Sequence, residues 1–440
     1  MIKVAKFGGS SLADAEQFKK VKNIIENDEN RRIVVVSAAG KRFKEDNKIT
    51  DLLYLCYAHI KYSVSYESMF AIIENRYLEI RDELGLKCNL ESEFRIIKSR
   101  MKKGMNRDYL VSRGEYLAGM LMAEYLGYDF IDAENVIFFD YNGKVDIAKT
   151  REAMEKAVER SPKGVIPGFY GTLPNGEIKL FSRGGSDITG AIVADCINAS
   201  IYENWTDVSG ILMADPNVVK DPKRIEIITY SELRELSYMG ANVLHTDAVA
   251  PAKRANIPIN IKNTNAPENP GTIIVDENNE LLKNAKNYFI TGIAGKKDFS
   301  VISIYKDHMS GEIGAIRKAL EIFEKYKVSI EHIPTGIDTF SLVVATENIK
   351  KYLYEIVAEI KKECEPSEVK VIDNISLIAT VGRNMADRPG MSGKLFAAIG
   401  NSGVNIRMIS QGSDEINIIV GVENEDFEKA INVIYNNFVI

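Results

Sequence analysis

Two glycine-rich turns in the sequence have the residue types of a phosphate-binding site. The first is Gly8-Gly9-Ser10-Ser11, which follows the apolar segment 3–7 and precedes an amphipathic segment. This order predicts a strand, a tight turn and a helix, with Lys6 at the carboxyl end of the strand. Adjacent glycines let a ligand approach the backbone, and N–H groups at a helix start suit phosphate oxygens. On these residues alone, an ordinary turn beside a solvated lysine explains the pattern equally well.

The second turn, Ser182-Arg183-Gly184-Gly185-Ser186-Asp187, precedes an apolar helix predicted over 188–198. It repeats the small residues of the first turn and adds charges of both signs. Arg183 can form paired hydrogen bonds with a carboxylate or a phosphate. Asp187 can hold Mg²⁺ or orient a nucleophile, although a capping aspartate at a helix start is common. Two such turns in one domain favour a site over two unrelated caps.

A third candidate lies inside a predicted helix, at Ser112-Arg113-Gly114-Glu115. Glycine in a helix interior costs about 1 kcal/mol relative to alanine. Gly114 therefore indicates close approach by another group. On this segment alone, we favour a glycine that packs against a neighbouring helix, beside a solvated Glu115.

Strands and helices alternate through the part of the chain that must position these residues. Continuous β-branched runs such as 33–36 are typical of strands buried on both faces of a parallel sheet. The charged segment 41–48 is predicted to be a loop, and Thr50 and Asp51 to cap the helix after it. Apolar runs predict strands at 3–7, 31–37, 130–133, 136–139, 165–169, 201–207 and 257–261. Periodicity predicts helices over 12–25, 149–160, 188–198 and 232–239, several between 51 and 126, and one ending at 255. The predicted fold class is α/β, with a mostly parallel sheet between helices.

The pattern changes after residues 276–288, which are rich in Asp, Glu, Asn and Lys and predict a linker. Beyond them the order strand, helix, strand, strand, helix, strand occurs twice, over 289–372 and 373–440, with a period of roughly 75 residues. The predicted strands include 299–305, 328–333, 339–345, 369–372, 376–381, 404–409 and 415–422. The second copy lacks its last strand, and segment 289–294 can supply it by exchange between the copies.

The composition excludes several classes of protein. The 440 residues are 45% hydrophobic and 27% charged, as in globular proteins, and the net charge of −6 argues against bulk nucleic-acid binding. No run approaches the roughly 18 apolar residues of a membrane span, and the first residues enter a strand without a signal-peptide pattern. The scattered cysteines and histidines predict reduced thiols in a cytoplasmic protein and no protein-held metal site.

Four motifs in the same order resemble those of aspartate kinases. They are Lys6-Phe7-Gly8-Gly9-Ser10-Ser11, Gly184-Gly185-Ser186-Asp187, Trp205-Thr206-Asp207-Val208 and Gly240-Ala241-Asn242-Val243-Leu244-His245. The resemblance covers the whole chain. It implies an amino-acid kinase domain over 1–275, a linker over 276–288 and two ferredoxin-like ACT domains over 289–372 and 373–440.

The resemblance implies transfer of the ATP γ-phosphoryl group to the β-carboxylate of L-aspartate. The product is 4-phospho-L-aspartate, at the entry to lysine, threonine and methionine synthesis. Such a transfer needs positioning and neutralisation of negative charge rather than covalent chemistry. Mg²⁺ is expected with the nucleotide phosphates, without an all-protein cage.

The resemblance also implies the site residues. Lys6 and Asp187 are the catalytic pair, with Arg183 on the α-carboxylate of the substrate and Glu115 on its ammonium group. The substrate-binding residues are Ser37, Thr50, Glu115, Phe169, Arg183 and Ser186. The ATP-binding residues are Lys6, Gly8, Gly9, Ser10, Thr206, Asp207 and Gly210.

The ACT domains imply feedback by an amino acid, for which we expect lysine, alone or with threonine. Backbone N–H groups at the turn 309–311 can hold the carboxylate of the effector, and Glu331 its amine, although loop and packing roles explain each residue equally well. The effector residues are Met309, Ser310, Gly311, Ser329, Ile330, Glu331 and Thr335. Pairing of ACT domains across subunits implies a homodimer or a tetramer.

Two departures from the family pattern affect the nucleotide side. Asn242 and Thr246 stand where a lysine and a proline are usual, and Leu212 and Asn217 where a tyrosine and an arginine are usual. Either another cation replaces the missing ones or ATP binds more weakly. Three nearby cations are candidates: Lys220, Lys223 and Arg224.

Two other functions remain open from the sequence. One is a kinase of the same fold that acts on another acid, such as glutamate or carbamate. The other is an ACT regulator that binds amino acids and has weak or lost kinase activity. The intact Lys6 and Asp187 oppose the regulator, and Glu115 with Arg183 opposes another acceptor.

Overall fold

The computed structural model describes residues 1–182, 184–241, 244, 246–284, 288–386 and 388–439, with the backbone alone at 246, 247, 284 and 310. The chain forms two compact units. The first comprises Met1–Ile211, Glu226–Tyr230 and Val243–Ala285, and the second comprises Leu212–Ile225, Ser231–Asn242 and Lys286–Ile440. Segments 212–225 and 231–242, which the sequence analysis assigned to the first domain, therefore belong to the second unit.

The first unit is built on a mainly parallel sheet. Its strands, with a separate hairpin of β5 and β6, are β1 (Lys3–Phe7), β2 (Arg31–Val36), β3 (Asp129–Phe130), β4 (Gly164–Pro167), β5 (Tyr170–Thr172), β6 (Ile178–Leu180), β7 (Ile201–Thr206), β8 (Ile227–Thr229), β9 (Ile259–Asn263) and β10 (Thr272–Val275). Within the described ranges the main sheet has eight strands, in the order β3-β4-β2-β1-β7-β9-β10-β8. Neighbouring strands are parallel except β9 and β10.

The helices of the first unit are α1 (Ala15–Glu26), α2 (Ile49–Lys61), α3 (Glu67–Glu83), α4 (Leu90–Arg100), α5 (Arg107–Leu126), α6 (Ile147–Arg160), α7 (Gly185–Cys196) and α9 (Thr246–Arg254). Helix α8 (Tyr230–Tyr238), which lies between α7 and α9 in the chain, belongs to the second unit except for its first residue. α7 contacts β1, β2 and β7 and lies beside α6 and α9, whereas α5 contacts β2, β3 and β4. Asp195 of α7 accepts hydrogen bonds from Arg151 of α6 and Arg254 of α9, at 2.7 and 2.8 Å.

The parallel register brings four strand ends to one edge of the sheet. β1, β2, β4 and β7 all end there, each in a turn of small or polar residues. The turns after β1 and β2 touch, since the Gly40 N–H donates to the Gly9 carbonyl at 2.8 Å. A Cβ atom on Gly40 would lie 2.5 Å from the carbonyl carbon of Gly9, so only glycine fits. The contact fixes the shape of the first phosphate-type turn.

Several predictions for the first unit were wrong in detail. The predicted strand 136–139 is reduced to single bridges at Phe138 and Phe139. β8 and β10 are short strands that the sequence analysis did not predict. α2 begins at Ile49 with Lys48 as its N-cap, so Thr50 and Asp51 lie in the first turn instead of capping it. α7 begins three residues earlier than predicted, because Gly184 turns the chain with φ of 73°.

The second unit contains one antiparallel sheet shared by both predicted modules. Its elements are β11 (Gly292–Tyr305), α10 (Ala315–Lys325), β12 (Thr339–Ala345), α11 (Thr346–Ile349), α12 (Leu353–Glu363), β13 (Glu368–Val381), α13 (Met391–Asn401), β14 (Met408–Ser410), β15 (Asn417–Glu423) and α14 (Phe427–Phe438). In the described residues the sheet has five strands, in the order β12-β11-β13-β15-β14.

The two modules are joined by the long strands β11 and β13. Residues 292–296 pair with 377–381, and residues 301–305 pair with 368–372. The start of β11 therefore lies in the half of the sheet formed by the second module. The predicted strand 328–333 is only a bridge between His332 and Val343, because Pro334 follows with no N–H to donate. The predicted strand 404–409 shortens to β14.

Helix α8 is bound to this sheet through a fully buried carboxylate. Glu232 accepts hydrogen bonds from Thr291 Oγ1 at 2.5 Å, from the Arg383 backbone N–H at 2.8 Å and from Arg383 Nη1 at 2.9 Å. One turn later, Leu236 packs closely against Gly292. A Cβ atom on Gly292 would lie 2.9 Å from Leu236 Cδ1. These contacts explain why 231–242 belongs to the second unit.

Segment 212–225 is bound to the second unit as well. The Met213 carbonyl accepts from the Ile293 N–H at 2.7 Å. Lys223 donates its backbone N–H to the Tyr435 hydroxyl and its Nζ to the Val439 carbonyl, both at 2.7 Å. Lys223, one of the three candidate replacement cations, is thus engaged with the C-terminal helix.

We expect the Glu232–Arg383 ion pair to stabilise the second unit far more than a surface pair does. Removing one partner of a buried pair costs about 3–5 kcal/mol, and the partial exposure of Arg383 reduces this to about 2–3 kcal/mol. Glu232→Gln should lower the free energy of unfolding by that amount in urea titrations. The control is Glu428→Gln, which breaks the exposed pair with Lys297 and should cost less than about 1 kcal/mol. Equal shifts for the two variants would contradict this view of α8.

Candidate functional site

A cleft of about 1070 Å³ opens at the carboxyl edge of the main sheet. It is bounded by the turns after β1, β2, β4 and β7 and by the start of α7. The predicted site residues that line it are Lys6, Gly8, Gly9, Ser10, Ser37, Thr50, Glu115, Phe169, Ser186, Asp187, Thr206 and Asp207. Arg183 and Asn242 lie outside the described residues. The structure therefore brings the two glycine turns and Glu115 into one cavity.

Gly210 is the one predicted ATP residue of the described chain that does not line this cleft. Its φ of 101° and the position of Thr272 explain the glycine. A Cβ atom there would lie 2.6 Å from Thr272 Oγ1, which accepts from the Ile211 N–H at 2.8 Å. Gly210 thus has a packing role at the start of β10.

A buried ion pair joins β1 to α7 inside the cleft. Lys6 Nζ lies 2.5 Å from Asp187 Oδ1, and the two side chains are 8% and 19% exposed. Asn204 Nδ2 donates to the same Asp187 oxygen at 3.1 Å. Gly8 is close to the ammonium group, since a Cβ atom there would lie 3.5 Å from Lys6 Nζ. A positive charge thus stands directly beside the first glycine turn, as phosphate binding requires.

The start of α7 is pressed against the turn after β4. A Cβ on Gly168 would lie 2.8 Å from Ser186 Cβ, and one on Gly185 would lie 2.4 Å from a ring carbon of Phe169. Phe169 itself has φ of 78°, a conformation that costs a residue with a side chain about 1–3 kcal/mol. Its N–H donates to Thr189 Oγ1 at 3.0 Å, which holds it there. Such strain at a cavity wall is typical of binding sites.

Glu115 lines the same cleft, and its carboxyl group is buried from solvent. The residue is 4% exposed, and Oε2 has no hydrogen-bond partner among the described residues. Burial raises the pKa of Glu115 to about 8, partly offset by the Ala38 N–H that hydrogen-bonds the carboxyl group. An unpaired buried carboxyl group facing a cavity is suited to bind a cationic group.

Gly114 has a packing role, as the simpler sequence interpretation held. A Cβ atom there would lie 2.8 Å from Ala38 Cβ and 3.2 Å from Leu53 Cδ1. The glycine lets α5 lie against the turn after β2. The solvated glutamate of that interpretation was wrong, because Glu115 is buried in the cleft.

Loop 41–48 contributes side chains that the sequence analysis did not select. Lys41 and Lys48 line the cleft together with Tyr54 of α2. A charged loop after a strand of the parallel sheet was the available signal, since the strand ends at the ligand edge.

The buried Arg76 of α3 holds this loop in place. Its Nη2 donates to Asp46 Oδ2 at 2.6 Å and its Nη1 to the Gly40 carbonyl at 3.0 Å. Burial alone would raise the pKa of the Asp46 carboxyl group. Hydrogen bonds from Arg42 and the charge of Arg76 instead keep this pKa well below its usual range. One guanidinium group therefore fixes both the glycine turn and the loop beyond it.

The predicted effector residues lie in the second unit. Met309 belongs to the core of the first ACT module, and the partly buried Ile330 packs against it. Gly311, Ser329 and Thr335 are exposed. The side chain of Ser310 lies outside the described residues.

Glu331 is engaged in the second unit. Its carboxylate accepts a hydrogen bond from the Tyr238 hydroxyl of α8. Burial and this hydrogen bond raise the pKa of Tyr238 to about 12.

Within the described ranges, no helix combines the length and the apolar character needed to cross a bilayer. The same part of the chain contains no cluster of three or more His, Cys, Asp or Glu residues that could hold a metal ion.

Comparison with known proteins identifies both parts of the chain. The model of the amino acid kinase family matches residues 1–263, and an ACT domain model matches residues 378–438. Aspartokinase 3 of Bacillus subtilis is 35% identical over 99% of this chain and 98% of its own length.

Solved structures have the same fold over the whole chain. Clostridium acetobutylicum aspartate kinase is 51% identical with a TM-score of 0.93, and the match covers 99% of both chains. E. coli aspartokinase III is 25% identical in two states. Its R-state complex with aspartate and ADP has a TM-score of 0.74 over 99% of both chains. Its T-state complex with lysine and aspartate has a TM-score of 0.76 over the full length of both. The expected α/β fold with ACT modules is confirmed, and the chain belongs to the aspartokinases of the amino acid kinase family.

Proposed function

We propose that this protein is an ATP-dependent aspartate kinase that forms 4-phospho-L-aspartate and is subject to feedback by an amino acid. The observation that carries the proposal is that one cleft holds a lysine–aspartate pair beside a glycine turn and a buried carboxyl group with an unpaired oxygen. The first feature suits a transferring phosphoryl group, and the second suits the ammonium group of an amino acid. We assign catalysis to residues 1–275 and regulation to ACT modules over 289–372 and 373–440.

On the phosphate side, Lys6 supplies the positive charge that the transferring group needs. Negative charge spreads over the phosphoryl oxygens in the transition state, so a fixed cation beside the Gly8-Gly9 turn lowers the barrier. The N–H groups in the first turn of α7, which lines the same cleft, add partial positive charge. Asp187 orients the Lys6 ammonium group and does not need to form a covalent bond.

On the acceptor side, Glu115 pairs with the ammonium group of aspartate. Arg183 binds the α-carboxylate of aspartate, as the resemblance to aspartate kinases implies. Ser37, Thr50, Phe169 and Ser186 then shape the pocket around the side chain. Fixing both charged ends of the amino acid presents its β-carboxylate to the γ-phosphorus of ATP.

On the nucleotide side, Thr206 and Asp207 follow β7 and line the same cleft as Lys6. Mg²⁺ would be held by the nucleotide phosphates with help from Asp187 and Asp207, whose carboxylate oxygens are ligands that this ion prefers. When bound, it supplies further neutralisation of phosphate charge. Lys41 and Lys48 add positive charge at the cleft wall.

We further propose that the effector is lysine, alone or with threonine, and that it binds the first ACT module near Glu331. Its amine would compete with the Tyr238 hydroxyl for the Glu331 carboxylate. We also propose a homodimer formed through the ACT modules, or a tetramer. The four cysteines are free thiols, which suits the reducing cytoplasm.

The central test is an ATP- and Mg²⁺-dependent hydroxamate assay with L-aspartate and with L-glutamate, each with and without lysine and threonine. We expect turnover with aspartate, little with glutamate, and inhibition by lysine. No turnover with aspartate overturns the kinase function and favours a regulator that binds amino acids. Turnover indifferent to both amino acids overturns the feedback role alone.

Lys6→Ala should lower kcat by about 10²-fold or more, as for loss of one preorganised charge donor at a transition state. The matched control is Lys3→Ala on the same strand, where Lys3 Nζ contacts Asp28 at 2.7 Å away from the cleft. We expect the control to retain its kcat within about twofold, because Lys3 does not line the cleft. Steady-state kinetics with saturating ATP measures both. A similar loss in the two variants would mean that Lys6 acts only through the stability of β1.

Aspartate binding should strengthen with pH up to about 8, where the Glu115 carboxyl group ionises. A protonated Glu115 cannot pair with an ammonium group, so the dissociation constant should fall about tenfold per pH unit between pH 6 and 7.5. Calorimetry in buffers of different ionisation enthalpy should show about one proton released per aspartate at pH 7. In Glu115→Gln both effects should disappear and binding should be weaker. A flat pH profile in the unaltered protein would remove Glu115 from the ammonium site.

A further inference from the structure

A polar residue inside the buried strand β7 touches the catalytic pair. Asn204 is 3% exposed and stands directly beside Lys6 in the parallel register of β1 and β7. Both side chains therefore point to the sheet face that α7 covers. Asn204 Nδ2 donates to Asp187 Oδ1 at 3.1 Å, and this same oxygen lies 2.5 Å from Lys6 Nζ.

A second residue of β7 holds the backbone of Asp187. Tyr202 lies two residues before Asn204 on the same face, and its hydroxyl donates to the Asp187 carbonyl at 3.1 Å. Burial raises the pKa of the Tyr202 hydroxyl well above its usual range, so it remains a donor. Its ring fills the space left by Gly190, where a Cβ atom would lie 2.6 Å from Tyr202 Cε2. β7 thus fixes both the backbone and the side chain of Asp187.

The need for Asn204 is greatest when the phosphoryl group arrives. In the free protein Lys6 alone could orient Asp187. Once the ammonium group turns toward phosphoryl oxygens, Asn204 is the protein side chain among the described residues that still holds the Asp187 carboxylate. A buried amide is costly unless it is hydrogen-bonded, and asparagine is rare inside strands. The position is therefore better explained by the contact with Asp187 than by packing.

We propose that Asn204 is a positioning residue for phosphoryl transfer, which fixes Asp187 and through it the Lys6 ammonium group. The inference rests on the proposed kinase function. In the transfer, a carboxylate oxygen of the acceptor forms a bond to the γ-phosphorus as the bond from that phosphorus to the β–γ bridging oxygen breaks, and the electron pair leaves with ADP. Asn204 takes no part in these bonds and acts only on the geometry of Asp187.

The test compares Asn204→Leu, which keeps the volume but removes the donor, with the unaltered protein. A hydrogen bond to a charged group accounts for about a tenfold to hundredfold effect, so kcat should fall by that factor. The KM for aspartate should stay within about twofold, since Asn204 does not line the cleft. In an Asp187→Ala background the same substitution should have no further effect on kcat. The control is Asn260→Ala on β9, also in the sheet and away from the cleft, which should leave kcat unchanged.

The outcomes separate this inference from the kinase function. Absence of turnover in the unaltered protein overturns the function, and a crystal structure of Asn204→Leu then decides the inference. We expect Asp187 to adopt another rotamer there, with the distance to Lys6 Nζ increased. The inference is overturned if Asp187 keeps its position in that structure. It is also overturned if Asn204→Leu lowers kcat by the same factor in the Asp187→Ala background. If Asn204→Leu does not fold, Asn204→Ala supplies the same comparison.

Discussion

The ion pair between Lys6 and Asp187 is the interaction on which the site depends. Two charges removed from water are stable only when further groups satisfy them, and an isolated pair at this depth would be unfavourable. Asn204 and the backbone contact from Tyr202 supply that support. The pair therefore requires β1, β7 and α7 to meet at fixed distances. The parallel register of the sheet and the small residues at the start of α7 satisfy this geometric requirement.

The electrostatic situation of Glu115, in the same cleft, is different. A charged Glu115 without a partner would be costly at this depth, and the raised pKa keeps the proton on the group at neutral pH. The proton can leave when an ammonium group arrives, so binding and ionisation are coupled. The strained Phe169 and the unpaired Glu115 oxygen are both unfavourable for the empty protein. Their presence in one cavity indicates that ligand binding, rather than stability, selected this wall.

The sequence predicted the parts of the fold that depend on local chemistry. Glycine turns after β-branched strands can be recognised because few residues tolerate such close backbone contacts, and the parallel order of the strands then places them at one edge. The α/β class, the helices between 51 and 126 and the ACT modules are confirmed on this basis. β8 and β10 were missed because strands of three and four residues have little pattern of their own. Glu115 was interpreted as solvated on local grounds, since burial is set by α2 and β2, which are distant in sequence. Asn204 was overlooked although a polar residue in an apolar strand was a visible signal. The assignment of residue roles stays a prediction.

The division into units was the least predictable feature. Composition can indicate a linker, but it does not indicate with which unit a given loop packs. The chain passes between the two units at 211/212, 225/226, 230/231, 242/243 and 285/286. The first of these passages lies four residues after Asp207, at the end of the strand that positions Asp187. Segments 212–225 and 231–242 are then held by β11, β13 and α14 through Met213, Lys223 and Glu232. A ligand that shifts this sheet must move these segments with it, since the Glu232 carboxylate is too deeply buried to release Arg383 at low cost. Covalent continuity at these five passages thus joins segments held by the ACT sheet to the first unit.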